Sequence, residues 1–265
     1  MKRTFKLSTG VFGEGDPKIC APIVGRTKED VFKAAEVIAK TEADVVEWRG
    51  DWFDRVEDRD ELLEVLQGIR GRIREKALLF TLRTVYEGGQ LAVMKDTYYE
   101  LNDRAARSGY VDLVDVEAFR EEERTSEEIR KLQSAGVHVI ASFHNFDRTP
   151  DREELIRRLT RMQEMGADVA KIAVMPQSRE DVMTLMEATM EADHSGSDYV
   201  HGSSGSLKSS GRNPDRFSYD LCKCGRSIRT GSDSHRTDES ILSAFVYEIE
   251  KQAAPFDTVR GLLFL

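Results

Sequence analysis

Six times between residues 18 and 174 a short run rich in Val, Ile and Ala gives way to a longer amphipathic stretch, and this recurrence leaves few folds open. The apolar runs fall at 18–24, 44–49, 77–82, 110–116, 137–143 and 169–174. Their spacing of roughly thirty residues is the signature of repeated strand–helix units. Runs that are apolar almost throughout, such as ADVAKIAVM at 167–175, belong where both faces of a parallel sheet are covered. The class is therefore α/β, either a barrel or a doubly wound sheet. Helix starts are expected at Thr27 with Glu29 and Asp30, at Ser126 with Glu127 and Glu128, and at Ser178 with Glu180 and Asp181. In each, a side-chain cap precedes carboxylates that oppose the helix dipole favourably.

At 265 residues the chain is long enough for one large α/β domain with a substantial core. The net charge of -9 works against binding a nucleic-acid backbone or an anionic membrane, which leaves a small molecule as the expected partner. No stretch reaches the about 18 uninterrupted apolar residues of a membrane-spanning helix, and the start MKRTFKLSTG lacks the apolar segment of a secretory signal. A cytoplasmic location is expected. Cys20 and the close pair Cys222 and Cys224 form neither a disulfide framework nor a four-ligand zinc site.

After residue 193 the text changes character. Residues 195–240 are rich in serine among scattered Gly, Arg and Asp, the composition of a flexible insertion rather than of core strands. Helical period returns at 239–252 through Ile241, Leu242, Phe245, Val246 and Ile249, and the ending GLLFL is apolar and uncovered. Two parts follow: a barrel domain over 1–194 with six readable units, and an atypical C-terminal segment over 195–265.

In a barrel of parallel strands, side chains at the carboxyl ends of the strands converge on one mouth. The second run ends in Glu47, Trp48 and Arg49; the third leads to Arg83 and then Glu87, Gly88 and Gly89; the fifth ends at His144; the sixth carries Lys171. An ammonium between Val169, Ala170, Ile172 and Ala173 would be poorly solvated, and desolvation favours the neutral amine, a nucleophile for carbonyls. A strand-end lysine snorkelling to water, or one paired with a buried carboxylate, fits the same run. His144 stands where an apolar run meets the polar loop HNFDRTP, placed to act as acid and base near neutral pH or simply to close a strand by hydrogen bonding. His138, at the other end of that run, belongs to the opposite rim. Arg49 and Arg83 end adjacent strands and can converge on an anionic or hydroxylated ligand, or form a rim salt-bridge network, with Glu47 on Arg49's face. Asp115 and Glu117 either orient Lys171 or His144 or balance the charge.

EWRGD at 47–51, FTLRTVYEGG at 80–89, ASFHNFDRTP at 141–150 and GADVAKIAVMPQS at 166–178 together resemble, in order and spacing, the four core motifs of type I 3-dehydroquinate dehydratase. The resemblance spans residues 13–193 and implies a (β/α)8 TIM barrel. It also implies a homodimer that needs no metal or nucleotide and converts 3-dehydroquinate to 3-dehydroshikimate and water. It assigns imine formation to Lys171, proton transfer to His144 with Glu87 supporting it, and substrate contacts to Glu47, Trp48, Arg49 and Arg83. A class I aldolase would also use a barrel lysine, but the His144 motif and the EWR and TLRT segments favour dehydration. Another reading is an inactive chain that keeps the motifs without closing the barrel.

The family's last two units, with an arginine, a serine and a glutamine at the mouth, are not legible after about residue 195. The hypothesis this suggests is a reading frame slipped by one nucleotide near 195–197, beneath which the family's segment persists. SDYVHG at 197–202, back-translated and displaced by one base, can read PITSMG, close to the family's seventh strand.

Overall fold

The computed structural model describes residues 4–7, 9–13, 18–194 and 263–264. The chain divides into two units, Met1–Ser197 with Gly261–Leu265, and Asp198–Arg260. The second lies outside the described residues, as do the helix expected at 239–252 and the frame slip.

The first unit opens with a small antiparallel hairpin of β1 (Phe5–Leu7) and β2 (Gly10–Phe12). The strand–helix repeat then begins. β3 (Ile19–Ile23) leads to α1 (Lys28–Ile38), β4 (Val45–Arg49) to α2 (Arg59–Ile73), and β5 (Ala77–Thr81) to α3 (Lys95–Arg107). β6 (Leu113–Glu117) leads to α4 (Glu122–Ser134), β7 (His138–Asn145) to α5 (Arg152–Glu164), and β8 (Val169–Val174) to α6 (Arg179–His194). All six strands expected from the apolar runs are present, in sequential order and parallel, in one curled sheet.

At the free side of β3 lies β9 (Leu263–Phe264), antiparallel, with Cys20 opposite Leu263. Leu263 and Phe264, the described residues of the apolar ending expected to be uncovered, are thus paired through their backbone. An open strand edge presents backbone donors and acceptors that any adjacent extended segment can satisfy.

Two of the three expected helix starts hold. Thr27 forms a capping box with Asp30, each side chain reaching the other's backbone N–H, and Ser178 accepts from the Asp181 N–H at 3.1 Å. The third is displaced by a turn. α4 begins at Glu122, and Ser126 stands inside it with its hydroxyl bonded back to the Glu122 carbonyl. Glu121, Glu122 and Glu123 carry the helix upstream of the serine because glutamate is both a good helix former and favourable near the positive helix end.

Strand alternation sorts the core into two layers. Val46, Trp48, Leu78, Phe80, Val114, Val116, Val139 and Ala141 face the helices and join Leu62, Leu66, Ile69, Tyr98 and Ile129 in one cluster. Cys20, Val45, Ala77, Leu79, Leu113 and Ile140 face the other way and pack with Phe5, Leu7 and Phe12 from the hairpin. The hairpin therefore plugs the amino end of the curled sheet, and Phe5 stacks on His138 with ring centroids 3.9 Å apart. This confirms His138 as a residue of the closed rim.

Candidate active site

Continuing up the inward face of each strand, the side chains turn from apolar to polar. Two residues beyond Val45 comes Glu47; beyond Leu79 comes Thr81 and then Arg83; beyond Leu113 come Asp115 and Glu117; beyond Ile140 come Ser142 and His144; beyond Val169 comes Lys171. Glu47, Thr81, Arg83, Asp115, Glu117, Ser142 and Lys171 are all buried, so the carboxyl end of the sheet holds a desolvated cluster of opposite charges.

Lys171 is 8% exposed. Its Nζ lies 3.3 Å from Asp115 Oδ2 and 3.8 Å from Glu47 Oε1. The amine is buried, and it is paired with carboxylates as one of the sequence readings expected. The Asp115 carboxylate is fixed on its other oxygen, which accepts from Arg83 Nη2 at 2.7 Å and from the Ser142 hydroxyl at 2.6 Å. Burial alone would push its carboxyl up, but Arg83, Lys171 and His144, with the Ser142 hydrogen bond, outweigh it and hold Asp115 well below the usual carboxylate range. Glu47 is oriented separately, accepting from the Thr81 hydroxyl at 2.8 Å.

Arg83 is enclosed by carboxylates. Its Nη1 reaches Glu87 Oε2 and Glu117 Oε1, each at 3.3 Å, and the Ser142 hydroxyl at 3.1 Å. Glu117 in turn accepts from the Thr84 N–H and hydroxyl, both at 2.7 Å. Arg49 forms a two-pronged pair with Asp51, at 2.8 and 2.9 Å. Of the two sequence readings for these arginines, the ion-pair network is the one visible here.

His144 is on β7, where its backbone partner across to β8 is Ala173, two residues beyond Lys171 and on the same inward face. Its Nδ1 is 2.8 Å from Glu87 Oε2. Glu87 ends the short 3-10 turn Val85–Glu87, and the glycines that follow make its approach possible. Gly88 has φ +75, with a built Cβ 2.5 Å from the Phe146 ring, and a Cβ on Gly89 would lie 1.9 Å from the Arg83 carbonyl oxygen. The glycine pair, a weak signal in the sequence, is a steric requirement of the site. Burial pushes Glu87 up to about 8, with Arg83 opposing and Glu117 and Asp115 adding to the shift. Burial, then Arg83 and Lys171, push His144 well below the ordinary imidazole value. Burial thus disfavours the charged form of each partner.

Trp48 is not at the mouth. It is fully buried on the helix side, against Phe80 and Phe53 with ring centroids 5.4 and 6.1 Å away. The substrate contact expected of it is withdrawn, since consecutive strand residues face opposite ways and the two neighbours of an inward residue must point outward. Thr81, Thr84 and Ser142 were missed, although a step of two back from Arg83 or His144 would have reached Thr81 and Ser142. The arginine, serine and glutamine expected from the last two units lie outside the described residues.

The family model of type I 3-dehydroquinase matches residues 19–207. The chain is 46% identical over 191 residues to the 3-dehydroquinate dehydratase of Clostridioides difficile, covering 72% of this chain and 75% of that protein. It is 48% identical over 186 residues to that of Syntrophotalea carbinolica, covering 70% and 74%. Among solved structures, the type I 3-dehydroquinate dehydratase of Clostridium difficile with covalently modified comenic acid superposes with a TM-score of 0.70 over 72% of this chain and 75% of that one, at 46% identity. The Enterococcus faecalis 3-dehydroquinate dehydratase does so at 0.68 with 37% identity, over 71% and 78%.

Proposed function

Because the chain belongs to the type I 3-dehydroquinase family, we propose that it is a lyase removing water from 3-dehydroquinate to give 3-dehydroshikimate, through an imine on Lys171. The observation that carries this reading is the buried Lys171 amine, diagonal to His144 across two adjacent strands on the inward face.

The neutral Lys171 amine adds to the ring ketone, and loss of one water leaves a protonated imine. The charged nitrogen draws electron density from the adjacent carbon, so a proton there becomes acidic. His144 removes it through the nitrogen remote from Glu87, leaving a neutral enamine and an imidazolium. The enamine then expels the β-hydroxyl, which takes the imidazolium proton and departs as water, and a second water hydrolyses the imine to free product and Lys171. Glu87 orients the imidazole through Nδ1, and Glu47, Arg49 and Arg83 are the candidates for contact with substrate hydroxyls. No step calls for a metal or nucleotide.

The chain works as a homodimer in the cytoplasm under this proposal. Its net charge of -9 supports the absence of a nucleic-acid partner, and among the described residues no helix is long and apolar enough to cross a membrane. The same proposal assigns the barrel to 1–194 and treats 195–265 as a separate segment.

Borohydride reduction in the presence of 3-dehydroquinate tests the chemistry. The expected result is a covalent adduct on the peptide holding Lys171 and, without borohydride, growth of the enone absorbance of the product. An adduct on another lysine, or none, overturns the reading.

A further inference from the structure

We propose that Asp115 is the fixed counter-ion of the charged nitrogen at Lys171, holding the amine in place before reaction and neutralising the protonated imine once it has formed. This inference rests on the imine reading above. Two carboxylates stand near Nζ, and the geometry separates their roles. Asp115 is the closer, at 3.3 Å against 3.8 Å for Glu47, and its side chain is fully enclosed. It also cannot swing away, because Oδ1 is held by Arg83 and by Ser142 while Oδ2 faces the amine. Ser142 lies directly opposite Lys171 in the β7–β8 register, and Glu117 lies opposite Ser142 in the β6–β7 register, so the three strands clamp the carboxylate from known positions.

Proton and bond counting shows why such a clamp matters. A free ammonium has three N–H donors, but the protonated imine has one, with its charge next to the carbon being attacked. That single N–H needs an acceptor already in place, and Asp115 Oδ2 supplies it without reorganisation. When the neighbouring carbon loses its proton the nitrogen becomes a neutral enamine, and departure of the hydroxyl restores the charge. Asp115 therefore favours the charged stages on both sides of the enamine. Arg83, Lys171 and His144 carry or acquire positive charge around this carboxylate, while Glu47 and Glu117, and Glu87 once ionised, add negative charge. Cys20 beneath them is kept a neutral thiol by burial.

The experiment measures borohydride trapping by 3-dehydroquinate as a function of pH in the full chain, beside Asp115→Asn and Ser142→Ala. Removing a charge this close is expected to move the midpoint of trapping to lower pH by about 1 to 3 units. The plateau of trapped enzyme is expected to fall by about tenfold, through loss of a charge-assisted hydrogen bond. Ser142→Ala, which removes a donor but no charge, moves the midpoint the same way by less. A role confined to packing would lower the amount of folded protein without moving the midpoint. If Asp115→Asn does not fold, Ser142→Ala decides alone. Trapping in the unaltered chain with an unchanged midpoint in the folded variants overturns the counter-ion and leaves the imine reading standing. Failure of the unaltered chain to trap at Lys171 overturns both.

Discussion

Glu87 and His144 share one hydrogen bond 2.8 Å long, and where its proton sits decides what the imidazole can do. If Glu87 carries the proton, Nδ1 accepts and the outer nitrogen bears hydrogen, so it cannot take a proton from substrate. If Glu87 is ionised, Nδ1 donates and the outer nitrogen offers a lone pair. Since burial places Glu87 at about 8, kcat/KM is expected to rise with pH through that region, read from a pH–rate profile between pH 6 and 9.5. Glu87→Gln keeps an acceptor for Nδ1–H at every pH, so this rise should vanish in the variant. A rise that persists unchanged would assign it to another group. For His144→Ala, loss of proton transfer should lower kcat by about 10² to 10⁴, while the Lys171 adduct with borohydride still forms. These residues were visible in the sequence because His, Lys and Glu are distinctive at strand ends. Thr81 and Ser142 were not, since hydroxyl residues are ordinary strand occupants and acquire meaning only from what lies across the sheet. Trp48 was misplaced because a contiguous motif hides the alternation of faces.

At the scale of elements, the strands were legible because each carries an apolar run that stands out from the amphipathic stretches on either side. The amino-terminal hairpin was not. Its strands are three residues each, too short to display a period, and its apolar residues join a cluster with Val45, Ala77, Leu79, Leu113 and Ile140 far along the chain. The loop after β5 shows the same dependence. Gly89→Ala forces a Cβ into the Arg83 carbonyl and should destabilise the fold by about 2 kcal/mol or more in denaturant titration. Gly71, by contrast, is within α2 with no heavy atom near its missing Cβ, so Gly71→Ala should stabilise by about 0.5 to 1 kcal/mol. Equal effects at the two positions would contradict the geometry assigned to the turn that carries Glu87.

At the scale of the molecule, β8, which carries Lys171, is the outermost strand of the sheet among the described residues. The family likeness covers about three-quarters of each relative, and the segment from 195 onward departs from the motifs expected there. The frame-slip hypothesis belongs to this scale. Sequencing the gene across the codons for 194–205 is expected to show a one-base displacement relative to the family, and restoring the frame is expected to raise activity over that of this chain. An intact frame there would remove the hypothesis.

The order of strands and helices, their parallel arrangement and the amine and imidazole proposed to react were legible in the chain's own text, because apolar pattern and residue type act locally. Which charges neutralise one another was settled only in three dimensions. Lys171 meets Asp115 across 56 positions and His144 meets Glu87 across 57, and no local pattern encodes such a meeting. The sheet brings them together, and the exclusion of water there gives each pairing its strength.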